Sequence, residues 1–191
     1  MKIILICVCV FMSVSLQARI ISDINIPETT SHSDQSTKLR LNGAGIRTKF
    51  IFDIYIGSLY LEKKCTTSKA VYQLPGEKRV SMYFLYNEVS RDKLVSGWIE
   101  GFKNNHSPAQ FKQLEPTLTK FNSFFKTVKK NDVINFNFIP TTGTLVYINK
   151  NKVGTIEDDD FFNALLKVWL GDKPADTRLK NAMLGIDSED N

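Results

Sequence analysis

The chain has 191 residues, enough for one ordinary domain with a hydrophobic core and too few for two. A hydrophobic content of 42% with 13 Phe excludes a largely disordered chain. The formal net charge of +5 favours weak attraction to anionic lipid or an anionic solute. Basic residues are nevertheless dispersed among acidic ones and form no stripe interleaved with aromatic residues, so nucleic-acid binding is not expected.

The first residues have the pattern of a signal peptide. Lys2 precedes an apolar run at residues 3–14, which is too short to span a bilayer. Cleavage is expected after Ala18. We therefore predict that residues 1–18 are a signal peptide, and that the exported chain has no stable membrane insertion after its removal. An uncleaved membrane anchor is the alternative.

Cysteine and histidine usage limits the chemistry of the exported chain. Cys7 and Cys9 leave with the signal peptide, so Cys65 has no partner for an intrachain disulfide. His32 and His106 lie in separate polar loops, and no spacing of His, Cys, Asp and Glu is typical of a metal site. The glycines do not follow a dinucleotide or phosphate-loop pattern, so we expect no metal and no cofactor.

The first half of the chain predicts strands. Residues 19–37 form a lead-in of strand and loop that Pro27 interrupts. A short strand at residues 38–41 precedes a turn at residues 43–45. A long strand follows at residues 49–62, with two apolar faces, as expected of a strand covered on both sides.

The second half alternates between helices and strands. Apolar spacing and capping residues predict helices at residues 90–105, 108–128 with a break at Pro116, 161–170 and 174–184. Alternation predicts strands at residues 79–86, 132–139, 144–149 and 153–156. This order indicates an α+β domain over residues 38–187, with helices packed on one face of a large antiparallel sheet.

Arg47 stands out because it adjoins the long apolar strand. Burying a cation there is unfavourable unless an anion or a polarised carbonyl meets it. The sequence therefore predicts an anion-binding position at the end of this strand. A structural salt bridge from Arg47 to Asp53 or Asp159 is the alternative.

Two blocks of sequence carry a family pattern. The residues of the first block are Gly43, Gly45, Arg47, Lys49, Phe50, Gly57, Tyr60 and Leu61. The second block, at residues 159–184, has Asp-Phe, then Trp-Leu-Gly, then a polar turn into a last helix. Together the blocks resemble the chalcone isomerase-like family over residues 38–186, in particular its bacterial members with a signal peptide. The resemblance implies an open-faced β-sandwich and a periplasmic or secreted location.

Chalcone isomerases stabilise a phenolate attacking an enone, and the resemblance carries over one of their five site positions. Arg47 matches the arginine, whereas the strand threonine falls at Ile54 or Tyr55. The remaining hydroxyl and amide positions fall at Ser90, Gly97 and Phe162. Each lost donor raises the barrier by about 2.7–4 kcal/mol, so efficient flavonoid chemistry is not expected.

Fatty-acid-binding relatives grip a carboxylate with an arginine and a later tyrosine, and these positions match Arg47 and Tyr60. One residue number is odd and the other is even, so a regular strand would send the two side chains to opposite faces. A bulge at the glycines would bring them together, and otherwise Tyr55 shares the face of Arg47. We keep Tyr55 as the reserve ligand.

The sequence thus favours an exported, non-catalytic protein that binds a small apolar carboxylate such as a fatty acid. One alternative is an isomerase, an intramolecular lyase, acting on an unknown substrate. The other is a structural or interaction module whose pocket is filled by its own side chains.

Overall fold

The computed structural model describes residues 19–31 and 37–186. The expected signal peptide and His32 lie outside these residues. Along the described part, no helix is both long and apolar enough to cross a bilayer.

The described chain contains eleven strands and five helices. The strands are β1 (Arg19–Ile21), β2 (Ile24–Ile26), β3 (Thr29–Thr30), β4 (Leu39–Lys49), β5 (Phe52–Leu61), β6 (Lys78–Phe84), β7 (Glu88–Val89), β8 (Val128–Lys129), β9 (Val133–Ile139), β10 (Gly143–Ile148) and β11 (Asn151–Ile156). The helices are α1 (Ser68–Gln73), α2 (Arg91–Asn105), α3 (Pro108–Asn122), α4 (Asp159–Leu170) and α5 (Thr177–Met183).

Seven strands form the main antiparallel sheet in the order β11-β10-β9-β6-β5-β4-β3. Every helix places apolar side chains in the larger core, which covers one face of this sheet. On the other face, the β1–β2 hairpin adds Ile24 and Ile26 to a smaller cluster around Ile56 and Tyr60. The predicted α+β class, with helices on one face of a large antiparallel sheet, is confirmed.

The glycines of the first sequence block lie in a strand, and the predicted turn at residues 43–45 is wrong. β4 and β5 pair as one long hairpin whose turn is Phe50–Ile51. A Cβ atom at Gly43 would overlap the carbonyl oxygen of Ala182, and one at Gly45 would overlap the Ala182 side chain. The glycines are therefore required because α5 packs directly on the β4 backbone.

A bulge at Asn42 sets the register of β4. Leu41 pairs with Tyr60, whereas Gly43 pairs with the adjacent residue Leu59. The Asn42 side chain holds this bulge by donating to the carbonyls of Cys65 and Met183 and by accepting from the Cys65 amide. Beyond the bulge, β4 turns its alternate residues, Arg47 among them, toward the helices.

The helix predicted at residues 108–128 ends early. α3 stops at Asn122 and runs through Pro116 as one helix, and Val128 instead belongs to β8, which pairs with β7. Phe125 continues the helical spacing of apolar residues, but it reaches the core from the loop after α3. Periodicity alone could not distinguish these two routes into the core.

Candidate functional site

Arg47 and Tyr55 face each other across β4 and β5, on the helix side of the sheet. The Arg47 guanidinium carbon lies 5.6 Å from the centre of the Tyr55 ring, a cation–π arrangement. The Arg47 Nε atom is buried and has no hydrogen-bond partner among the described residues. This donor is unfavourable to bury unless a ligand supplies an acceptor.

The predicted salt-bridge alternative for Arg47 is not observed. The Asp53 carboxylate accepts a hydrogen bond from the Thr48 hydroxyl, and the Asp159 carboxylate accepts one from the Thr141 amide. No ion pair joins Arg47 to a carboxylate in the part of the chain that the structure describes. The guanidinium is therefore not neutralised by the groups that the sequence suggested.

Tyr55 keeps a donor proton in this buried place. Its hydroxyl accepts a hydrogen bond of 2.9 Å from the Trp169 indole Nε1. Burial raises the pKa of Tyr55, and the opposing effects of the Arg47 charge and the Trp169 bond are smaller. The phenol is thus protonated at neutral pH and can donate to an acceptor beside Arg47.

A small inner cavity of about 50 Å³ lies beside these two residues. Trp98 from α2 also lines it, and the Trp98 indole Nε1 is buried without a partner among residues 19–31 and 37–186. The other lining side chains are mainly apolar. They include Ile54, Met82, Phe84, Val89, Leu94 and Val168.

A larger cleft of about 560 Å³ adjoins the inner cavity. Its volume is within the roughly 300–1,000 Å³ typical of sites for small molecules. The two spaces share Arg47, Ile54, Val89, Lys93 and Gly97. Beyond these, the cleft is lined by Lys49, Phe50, Phe52, Tyr86, Glu88, Asp92, Ser96 and Glu100.

Charges are unevenly distributed between the two spaces. Arg47 and Lys93 line both of them, with no acid among the described residues of the inner cavity, whereas Lys49, Glu88, Asp92 and Glu100 line the outer cleft alone, where acids balance the cations. Because opposite charges attract and like charges repel, an elongated anion is favoured with its charged end toward the inner cavity.

Tyr60, the tyrosine expected to join Arg47, lies on the other face of the sheet. It packs in the smaller cluster and lines a separate cavity of about 240 Å³ together with Arg79. Burial raises the pKa of Tyr60 to about 12. β5 pairs with β6 without a register shift from Tyr55 to Leu61, so its side chains alternate regularly between the two faces. The structure therefore places Tyr55, and not Tyr60, on the face of Arg47.

Aromatic side chains pack closely in the described core. Trp98 packs against Phe121, Phe125, Phe136 and Trp169, with ring centroids 5.5–5.8 Å apart. These rings fill the space between the sheet and the helices. Room for an apolar ligand is found in the outer cleft.

Three of the five positions compared with chalcone isomerases lie together, because Arg47, Ile54 or Tyr55, and Gly97 line the inner cavity. Ser90 instead caps α2 by accepting a hydrogen bond from the Lys93 amide, and Phe162 stacks on Phe138 at 5.3 Å. Among the described residues, no group of three or more His, Cys, Asp and Glu side chains is placed to hold a metal ion.

Several residues of this site were not predicted as such. Trp98 and Trp169 are only 3% and 1% exposed, as core residues are, but their indole donors also belong to the site. Gly97 was named only as a position compared with chalcone isomerases, and Lys93 carried no signal beyond its place on α2. Residues four apart lie on the same face of a helix, but this spacing cannot show that a cleft meets that face.

The chain is similar in sequence to one family and in structure to solved proteins. A family model described as chalcone isomerase-like matches residues 18–185. No curated protein matches the chain. Among 36 matching chains of solved structures is a fatty-acid binding protein of Arabidopsis thaliana, with a TM-score of 0.68 and 17% identity, covering 88% of this chain and 96% of that one. At this identity the similarity establishes the fold.

Proposed function

The chain belongs to the chalcone isomerase-like family, and we propose that it binds an apolar carboxylate such as a fatty acid and is not a catalyst. The observation that carries this proposal is the buried, unpartnered Nε of Arg47 beside the Tyr55 phenol. Both groups donate hydrogen bonds, and a carboxylate supplies two acceptor oxygens with the matching charge.

The dimensions of the two spaces support an elongated ligand. The inner cavity of about 50 Å³ has room for a head group and not for an acyl chain. The outer cleft of about 560 Å³ has apolar walls from Phe52, Ile54 and Val89. A fatty acid would therefore place its carboxylate beside Arg47 and its chain in the outer cleft. The similarity in fold to a fatty-acid binding protein supports the same ligand class.

The composition of the inner cavity favours binding over catalysis. An intramolecular lyase that closes a ring needs a base that takes up the proton of the attacking group. The ionisable residues that line this cavity are Arg47, Tyr55 and Lys93, with no carboxylate or histidine among them. The raised pKa of Tyr55 keeps the phenol protonated, so it is a donor to a bound anion rather than a base.

Export completes the proposal. Residues 1–18 have the pattern of a signal peptide, so the protein would act in the periplasm or outside the cell. N-terminal sequencing of the protein recovered from each cell fraction tests this part. A chain that begins at Met1 inside the cell would contradict it.

Calorimetric titration with dodecanoate tests the head-group site. Arg47→Ala removes a charge-assisted hydrogen bond worth about 1.5–3 kcal/mol, so we expect the affinity to fall roughly tenfold or more. Arg40→Ala is the matched control, because Arg40 is an exposed arginine on the same strand. The Arg47→Ala substitution should reduce the affinity for dodecanol only slightly, because dodecanol has the same chain without the charge. Equal dodecanoate binding by Arg47→Ala and the wild type would contradict the proposal.

A further inference from the structure

The tip of the β4–β5 hairpin presents large apolar side chains to solvent. Phe50 is 90% exposed and Ile51 is 86% exposed, and the neighbouring Phe52 is 49% exposed. A soluble surface ordinarily scatters such residues singly. Here they are consecutive, and no described side chain covers the first two.

The backbone of this tip also departs from the preferences of its turn. Lys49 pairs with Phe52, which leaves Phe50 and Ile51 as a two-residue hairpin loop. Loops of this length favour Gly, Asn or Asp, because they need left-handed backbone angles. Phe50 has a φ of 57°, which is unfavourable for a bulky residue. An aromatic residue is thus held in solvent at the expense of both backbone and side-chain preferences.

We propose that this tip, Phe50 and Ile51 with the flanking Lys49 and Phe52, inserts into the surface of an anionic lipid bilayer. The tip is a narrow convex projection, suited to entering the boundary between head groups and acyl chains. The exposed ammonium of Lys49 adjoins it, and a cation at this depth is attracted to anionic head groups. The net charge, +5 for the whole chain and +4 once Lys2 leaves with the signal peptide, acts in the same direction.

The position of the tip relative to the cleft favours a bilayer over a protein partner, and this step rests on the proposed function. Lys49, Phe50 and Phe52 line the outer cleft, so the inserted tip would place the cleft mouth at the membrane surface. Fatty acids partition strongly into bilayers. A binding protein that docks there would collect or release its ligand without passing it through water.

Fluorescence and vesicle binding test the insertion without any fatty acid, so its failure is separable from failure of the proposed function. The native Trp98 and Trp169 are buried, and a Phe50→Trp reporter adds an indole at the tip. With vesicles of phosphatidylcholine and phosphatidylglycerol, we expect a blue shift and quenching by brominated lipid. An Ile20→Trp reporter, on the β1–β2 hairpin at a site 72% exposed, should show neither.

Ile51→Ser measures the contribution of one tip side chain. Ile51 does not line the cleft, so dodecanoate binding in solution should be unchanged. Burying an isoleucine side chain is favourable enough that its loss should weaken vesicle partition roughly tenfold or more. Ile20→Ser is the matched control and should leave partition unchanged. Each substitution is made separately in the same parent protein, and mass spectrometry determines the N-terminus of each variant.

Three results would overturn the proposal. One is the absence of a blue shift and of quenching at the Phe50→Trp reporter when vesicles are added. Another is quenching of the Ile20→Trp reporter by brominated lipid without quenching of the Phe50→Trp reporter, which would place the membrane contact at the β1–β2 hairpin. The third is a dimer in lipid-free sedimentation that Ile51→Ser dissociates, which would assign the tip to a second copy of the chain.

Discussion

Gly97 offers a direct test of whether the cleft is a ligand path. This residue lies on α2 and lines both the inner cavity and the outer cleft. A Cβ added there would meet no atom within 4 Å beyond the neighbouring turns of its own helix. A larger side chain can therefore enter the open space without displacing the sheet or the other helices.

Two substitutions at Gly97 separate stability from binding. Gly97→Ala removes a glycine from a helix interior, which stabilises by about 1 kcal/mol and raises Tm by about 2–4 °C for a chain of this size. Gly97→Leu should also fold, but its side chain occupies the junction between the two spaces. A carboxylate displaced from Arg47 loses a bond worth about 1.5–3 kcal/mol, so affinity for dodecanoate should fall at least roughly tenfold.

Calorimetric titration and thermal unfolding of the same samples provide the assay. Gly101→Ala is the control one turn further along α2, where a Cβ would lie 2.9 Å from the Val168 side chain. That overpacking should destabilise by about 1–3 kcal/mol. A folded Gly97→Leu that binds dodecanoate as tightly as the wild type would refute the assignment of the cleft as the ligand path.

Three further predictions concern the framework of the site. Asn42→Ala removes three hydrogen bonds that join the β4 bulge to the loop after β5 and to α5, and urea unfolding should show a loss of roughly 3 kcal/mol. Tyr55→Phe leaves the buried Trp169 indole without its acceptor, which should lower the free energy of unfolding by about 1–3 kcal/mol. Folding raises the pKa of Tyr60 from its ordinary value of 10.0 to about 12. The protonated phenol therefore contributes to the stability of the folded protein below pH 10, and this contribution is lost as the pH rises toward 12. The urea midpoint of the wild type should therefore fall more steeply over this interval than that of Tyr60→Phe.

Local signals predicted four of the five described helices, all but α1, and most strands, because those elements are specified by nearby residues. Ser90 caps α2 and Asp158 caps α4, as capping preferences suggested. Strict alternation in β9 predicted a strand whose inward side chains are buried. Such features need no knowledge of the rest of the chain.

The glycines of β4 show where local rules stop. A Gly-Ala-Gly sequence predicts a turn when it is read by itself, because glycine is the usual turn residue. The actual requirement comes from Ala182, more than a hundred residues later, whose helix lies directly on the strand. A contact between such distant segments leaves no trace in the local sequence.

The choice of tyrosine shows how two arguments from sequence can compete. Strand parity placed Tyr55 on the face of Arg47, whereas the family resemblance paired Arg47 with Tyr60. The structure has one bulge in β4 at Asn42 and one in β5 at Ile54, and β5 is regular from Tyr55 to Leu61. The physical rule therefore located the nearer phenol, although it could not reveal that Trp169 would hold its hydroxyl.

The same helix that requires the glycines also explains why Arg47 keeps its charge available. Asp176 caps the start of α5, and its carboxylate accepts hydrogen bonds from the Thr48 amide and from the Arg178 and Leu179 amides of α5. Both carboxylate oxygens are thus engaged by backbone N–H groups next to the site. These bonds hold the carboxylate at the helix cap, and no ion pair forms with Arg47 in the described structure. The close packing of α5 on Gly43 and Gly45 therefore positions a carboxylate beside the site and also leaves the cation for an acceptor from outside the chain.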